Sequence, residues 1–219
     1  MNLFIDSLFD LKELEANKIF NGLKYPWEAL CIIKSFILEY SLGLPDDFER
    51  VDEFVWVGRG TTIDRNVLLK GPAIIGYDCE LRSSAYIREN VLVGNDVVIG
   101  NSSEVKNSIL FNKVQIPHFN YVGDSILGFK AHLGAGVILS NLKSNGGMVK
   151  VIKDSDCIET GLRKFGALIG DNAEVGCNTV LNPGTVIGKE SIVYPLTSVR
   201  GFVPERHILK NTGEIVRRR

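Results

Sequence analysis

Histidine is scarce in this chain. His118, His132 and His207 are the 3 among 219 residues, and no two stand at the short spacing of a metal-binding pair. The four cysteines, Cys31, Cys79, Cys157 and Cys177, are equally scattered, with no CxxC pair. That pattern argues against a zinc site and against a disulfide framework, so no resident metal is expected and the thiols read as reduced. Charge of either sign is not in excess, at 25 basic against 26 acidic residues. A chain so balanced has no field to draw it to nucleic acid. Its one basic cluster, Arg217, Arg218 and Arg219, reads as a solvated terminus. Long apolar runs are missing too. No stretch reaches the roughly 18 uncharged residues of a membrane-spanning helix, and Asp6 and Asp10 interrupt the start, where a signal peptide carries its apolar segment. The expectation is a cytoplasmic protein with neither membrane nor nucleic acid as partner.

What is present divides by texture. In residues 1–50, Leu8, Leu11, Leu14 and Ile19 stand near helical spacing, and Trp27, Leu30, Ile33, Ile37 and Leu38 follow Pro26 at intervals of three and four until Gly43 and Pro45. This predicts a short helical hairpin acting as a cap on the end or flank of the main domain. From Val51 a six-residue period takes over. Blocks open on Val51, Val57, Ile63, Leu69, Ile75, Leu81, Ile87, Val93, Ile99, Val105 and Phe111. Small or β-branched residues follow four positions later, among them Ala73, Cys79, Ala85, Val91 and Val97. Gly58, Gly76, Gly94 and Gly100 fall between, where sharp turns and positive φ are expected. The period breaks at Pro117 and His118, resumes at Leu127, and returns in a new phase through Ile169, Val175, Leu181, Ile187, Val193 and Val199. Residues 141–168 carry no hexad phase and read as a loop, which at that length is usually functional or disordered. The domain reading is therefore a helical cap over 1–50, a repeat domain over 51–205, and a tail over 206–219.

Leu, Ile or Val, then often Gly, then a small residue at the fifth position, resembles the hexapeptide-repeat proteins. The resemblance implies an all-β fold, a left-handed parallel β-helix in which three hexads make one triangular coil and the opening residues stack inside. Fold alone leaves acyltransferases, γ-class carbonic anhydrases and non-catalytic scaffolds open. The carbonic anhydrases need three converging histidines, which this sequence does not offer. HFNYVGDSILGFKAHLGAGVILSN, from His118 to Asn141, is similar to the acetyltransferase domain of the bacterial bifunctional enzymes that acetylate glucosamine 1-phosphate and then uridylylate it.

That similarity implies roles for individual residues. His118 matches the catalytic histidine, Tyr121 the tyrosine that holds the sugar phosphate, and Asn141 the asparagine beside the acetyl-transfer centre. In GNSSEVK, Lys106 matches a substrate-binding lysine, and Arg88, one coil earlier, falls at the spacing of the arginine that binds the sugar's phosphate. Gly134, Ala135 and Gly136 correspond to the backbone along which acetyl-CoA is laid, with Cys177 a small contact nearby. Two departures stand out. His132 occupies the place of a second substrate-binding asparagine, and a family lysine in the loop has two candidate counterparts, Lys143 and Lys150. The family's nucleotidyltransferase domain has no counterpart in the first fifty residues, so uridylyl transfer is not expected.

The chemistry agrees with the residue types. Transfer of acetyl to an amine needs a base, and imidazole titrates in the neutral range. Arg88 and Lys106 lie three hexads apart, which stacks them on one flank of the prism where a phosphate relieves their mutual repulsion. The expected activity is an acetyl-CoA-dependent N-acetyltransferase on a hexosamine 1-phosphate or related sugar nucleotide. A homotrimer with sites between subunits is implied by the family. A non-catalytic sugar-phosphate-binding or regulatory trimer, and a sugar O-acetyltransferase, are the alternatives.

Overall fold

Each hexad supplies one short strand and one corner, and three of them return the chain to its starting edge. In the computed structural model, which describes residues 3–153 and 155–218, these strands stack into three parallel sheets around an aliphatic interior. Arg219 lies outside the described residues. The first face runs from Val55–Gly58 through Ala73–Ile75, Val91–Val93, Ser108–Leu110, Ile126–Leu127, Ala167–Ile169 and Thr185–Ile187 to Phe202–Val203. The second contains Val98–Asn101, Gln115–His118, His132–Leu133 and Glu174–Val175 among its strands, and the third Tyr86–Ile87, Glu104–Lys106, Tyr121–Gly123, Ile138–Leu139, Val180–Leu181 and Ser198–Val199. This is the left-handed parallel β-helix that the hexads predict. Its core column on the third face reads Ile87, Val105, Val122, Leu139, Leu181 and Val199, each paired in register with the next.

The phase differs from the expected one in an informative way. Val105 is followed in the interior by Leu110, and Val122 by Leu127, so two blocks are five residues long. Phe111, expected to open a hexad, instead leaves the interior and joins the apolar layer outside the first face. Both short blocks sit at the corner between the third and first faces. There Asn107 and Asp124 take positive φ at once, and Ser108 and Ser125 bridge backbone groups that the missing residue would have served: Ser125 N–H donates to Ser108 Oγ at 3.1 Å and Ala167 N–H to Ser125 Oγ at 3.0 Å. The register break thus lies at Asn107–Ser108 and Asp124–Ser125, not at Pro117. Val51 also departs from expectation, because Phe48–Asp52 folds back antiparallel on Val55–Gly58 and leaves Val51 exposed.

Three appendages differ from their sequence outline. Residues 3–50 form a chain of short turns, Ile5–Leu8, Leu11–Glu13, Asn17–Phe20 and Pro26–Cys31, leading into one eight-residue helix, Ile33–Tyr40, in place of a two-helix hairpin. The excursion after Asn141 carries an antiparallel hairpin of its own, Lys150–Lys153 with Asp156–Glu159. The tail adds His207–Leu209 and the antiparallel Ile215–Arg217 to the second face. The first two share one task. The middle outward position of the first face reads Trp56, Ile74, Leu92, Ile109, Ile126, Leu168, Val186 and Phe202. Such a surface needs a cover. The amino-terminal segment, through Phe9 stacked on Phe111 at 5.1 Å and Trp27 beside Phe165 at 5.9 Å, covers part of it, and Val149 and Val151 of the excursion join the same layer. Each large apolar side chain so buried contributes about 1.5–3 kcal/mol. Asp171 stitches the cover on, accepting from Asp10 N–H at 2.7 Å and Phe129 N–H at 2.9 Å while pairing with Lys189 at 3.2 Å.

Gly58, Gly76, Gly94 and Gly100 serve stacking, not positive φ. A Cβ on Gly76 would meet the Gly94 carbonyl of the next coil, and one on Gly100 would overlap the Pro117 carbonyl. The left-handed positions fall two residues later, at Asp78, Asp96 and Ser102. Gly100→Ala is therefore expected to cost about 3 kcal/mol in chemical denaturation, against at most about 0.5 kcal/mol for Gly43→Ala, whose surroundings are open. Equal midpoints for the two variants would refute the stacking argument. Cys79 is 2% exposed, and burial pushes its thiol up to about 11. At pH 8 only about one Cys79 in a thousand is then ionised, so a thiol-labelling reagent should modify Cys31, Cys157 and Cys177 rapidly and Cys79 only on unfolding.

Candidate active site

The third face is bounded by two edges, and the residues singled out from the sequence divide between them. At the edge shared with the second face, His118 ends its strand in register with Asn101 and is exposed. Its backbone is held rather than its ring. His118 N–H donates to Asn120 Oδ1 at 3.1 Å, its carbonyl accepts from Gly136 N–H at 3.1 Å, and Asn120, buried, donates onward to the Gly134 carbonyl at 2.8 Å. Gly134, Ala135 and Gly136 thus stack directly on the histidine's coil. The next coil brings Cys177, whose backbone nitrogen and sulfur lie where a Gly134 Cβ would stand, and Asn178 N–H donates to the Ala135 carbonyl at 2.8 Å. An unbranched strip of backbone therefore runs beside His118 to the exposed thiol of Cys177.

The opposite edge of the same face carries a connected polar cluster. Lys106 pairs with Asp124 at 3.4 Å, with side chains only 15% and 5% exposed. Asn141 donates to the same Asp124 oxygen and to the Tyr121 hydroxyl, the latter at 3.3 Å, while Asn107 donates to the other Asp124 oxygen at 2.9 Å. Asp124 is the hub, and the short corner puts it there. Asn107, at the matching corner of the coil beneath, donates to it, and both take the positive φ that the regular corners also show. Tyr121 stands on the face between the two edges. Burial, reinforced by Glu104, raises its phenol above the ordinary range, so it stays protonated at neutral pH and, with Asn141 donating to its oxygen, keeps its own hydrogen for an outside acceptor.

Other positions fall less simply. Arg88 stacks one coil from Lys106, as its spacing predicts, yet both cations already have carboxylate partners: Glu104 at 3.0 Å and Glu89 at 3.6 Å for Arg88, Asp124 for Lys106. Among the described residues the Arg88 Nε hydrogen is buried without a partner. His132 lies on the second face, between Gln115 and Glu174 in register, and lines a shallow pocket with Asp96, Lys113 and Lys130. It does not share a face with Tyr121. Lys150 pairs with Glu159 at 2.6 Å, and Lys143 donates to the Met148 carbonyl at 3.3 Å; both line the pocket at the foot of the excursion. Asp124 and Glu104 are the residues that sequence reasoning left without a role. Their signal was present, as the acid following Gly123 and the acid two positions before Lys106. Among the described residues no three His, Cys, Asp or Glu side chains converge as metal ligands, and no helix is long and apolar enough to cross a membrane.

Residues 69–162 match the family model described as the GMPPB C-terminal domain. The bifunctional sugar-1-phosphate nucleotidylyltransferase/acetyltransferase of Sulfurisphaera tokodaii is 31% identical over 163 residues, covering 66% of this chain and 41% of that protein. The bifunctional protein GlmU of Methanococcus maripaludis (strain C5) is 33% identical over 209 residues, covering 94% of this chain and 51% of that protein. Among solved structures, WeeI from Acinetobacter baumannii AYE aligns with a TM-score of 0.40 and 17% identity over 84% of this chain and 68% of that one, a likeness too loose to carry function. The chain spans about half the length of the curated relatives it matches. Solenoid architecture and sequence together make it a hexapeptide-repeat protein homologous to part of the bifunctional sugar-1-phosphate nucleotidylyltransferase/acetyltransferases.

Proposed function

We propose that the chain is an acetyl-CoA-dependent N-acetyltransferase acting on a hexosamine 1-phosphate or related sugar nucleotide. The observation that carries this reading is the exposed His118 on one edge of the third face, stacked against the Gly134–Gly136 strip, with Tyr121 and the Lys106–Asp124–Asn141 cluster across that face. In the reaction, the acceptor's neutral amine attacks the thioester carbonyl. A C–N bond forms and the C–S bond breaks. His118 takes the proton from the amine nitrogen and returns it to the departing thiolate, so no other co-reactant is needed. The acetyl-CoA lies along Gly134, Ala135 and Cys177. Tyr121, Lys106 and Arg88 hold the sugar phosphate and Asn141 lies beside the reacting carbonyl, whereas His132, on the second face, and Lys150, paired with Glu159 at the foot of the excursion, are given no part in binding the acceptor. Support for a homotrimer comes from the uneven faces. The first face is covered within the chain, whereas the third leaves Leu68, Ile138 and Val180 exposed for burial against a copy. Each site then lies between two subunits, and scattered free thiols fit a cytoplasmic setting.

The carboxylates already holding Arg88 and Lys106, together with His132 in place of an asparagine, favour a second reading, a sugar-phosphate-binding or regulatory trimer without turnover. Thiol release from acetyl-CoA in the presence of glucosamine 1-phosphate separates the two. His118→Ala is expected to lower kcat about a hundredfold or more, and binding without turnover in the native chain would leave the regulatory reading. A panel of sugar hydroxyl acceptors tests O-acetylation. Asp124→Asn removes the partner of a nearly buried lysine. It is expected to raise the KM for the sugar phosphate about tenfold, a change of about 1.4 kcal/mol, while leaving the KM for acetyl-CoA within about twofold. Equal effects on both would make Asp124 merely structural. Acetyl-CoA bound along the proposed strip should slow alkylation of Cys177 about fivefold or more without altering that of Cys31, and an unprotected Cys177 would exclude that donor path.

A further inference from the structure

The uncompensated positive charge near the site lies elsewhere than at Arg88 and Lys106. A pocket of about 480 Å³ opens at the foot of the excursion, within the range of small-molecule sites. Three cations line it: Lys143, Lys150 and Arg200. Lys150 is paired with Glu159, but among the described residues neither Lys143 nor Arg200 has a carboxylate partner, and no acid lines the pocket. Asn182 donates to Ser198 Oγ at 3.1 Å and to the Val199 carbonyl at 2.8 Å, which anchors its amide at the pocket wall and leaves only its oxygen, which accepts from a hydroxyl or a base N–H and not from a phosphate. Leu142, Ile152 and Pro183 supply an apolar side to the same cavity, and Leu142 and Ile152 are 44% and 54% exposed. Apolar surface beside cations without carboxylate partners matches the two ends of a flat, phosphorylated molecule.

Asn141 of the acetyl-transfer cluster lies between Ser140 and Leu142, which line the pocket, and register sets the distance from Lys106 at the far side of that cluster. Lys106 pairs with Gly123, and the successive rungs Val122–Leu139, Leu139–Leu181 and Leu181–Val199 lead to Arg200, four coils away. At about 4.8 Å per coil the separation along the axis is about 19 Å. One phosphate cannot serve both places. We infer that the pocket formed by Lys143, Lys150 and Arg200 binds the phosphates of a nucleotide, apart from any phosphate held at Lys106, with the base lying on Leu142, Ile152 and Pro183. The inference concerns binding and does not require acyl transfer.

Titration calorimetry with inorganic pyrophosphate, UDP and CoA tests it on the intact chain. The native protein should bind pyrophosphate and at least one of the two nucleotides, more weakly as salt rises. Lys143→Gln with Arg200→Gln should weaken that binding at least tenfold, whereas Lys34→Gln, an exposed lysine on the amino-terminal helix, should not change it. Loss confined to UDP assigns the site to a nucleotide-linked sugar, and loss confined to CoA assigns it to the donor; either supports the pocket. Unchanged affinity in the double variant, or no saturation of any probe by about 10 mM, overturns it. His118→Ala keeps pyrophosphate binding, so failure of the catalytic reading and failure of the pocket are told apart.

Discussion

Rung-to-rung register is the constraint on which the rest of the molecule depends. Every coil must place one aliphatic side chain per face directly on that of its neighbour, as Ile87, Val105, Val122 and Leu139 do, while the corner backbones approach so closely that Gly76 and Gly100 admit no Cβ. A stack under that rule tolerates a change of length only at corners. The two five-residue blocks, the four-residue step from Val199 to Val203 and the long excursion all fall at the same corner, between the third and first faces. The other two corners keep their length through this region. Polar chemistry concentrates where the rule is relaxed: Asn107 and Asp124 stand at successive five-residue corners, and the Asn107 amide donates to Asp124.

The site inherits its shape from this asymmetry. One edge of the third face is regular and glycine-rich, which gives bare backbone beside His118. The other is contracted and acid-bearing, which gives a nearly buried Lys106–Asp124 pair linked to Tyr121 through Asn141. Breaking such a pair from one side strands a charge at a cost of about 3–5 kcal/mol, so the cluster is rigid and its outward donors are positioned in advance. Rigid donors at one rim, with an imidazole at the other, define the span that a ligand must bridge.

The solenoid was legible because its signal is long: each aliphatic opening residue repeats the same physical demand. The cover over the first face was legible only in part. Trp56, Ile74, Leu92, Ile109, Ile126 and Leu168 announce an apolar outer surface, but they recur once per coil beside the inward residue and merge with the hexad itself. Phe111 was misplaced for the same reason, since five- and six-residue blocks both put an apolar side chain within one position of the expected site. His118, Tyr121 and Asn141 could be picked out by motif. Asp124 could not be given a role, because its partners Lys106, Asn107 and Asn141 are brought together by corner geometry that no local spacing expresses. Short turns replaced the predicted hairpin where Asp10 and Asn17 bind nearby backbone and interrupt the helical spacing.

The excursion leaves after Leu139 and rejoins at Ala167, and the coils it separates still pair directly, Leu139 with Leu181 and Leu127 with Ile169. Insertions there do not propagate into the stack. Selection can therefore lengthen, shorten or recharge the pocket-forming segment while the scaffold underneath is inherited unchanged, which lets a single barrel of coils acquire a new ligand preference through one segment of chain.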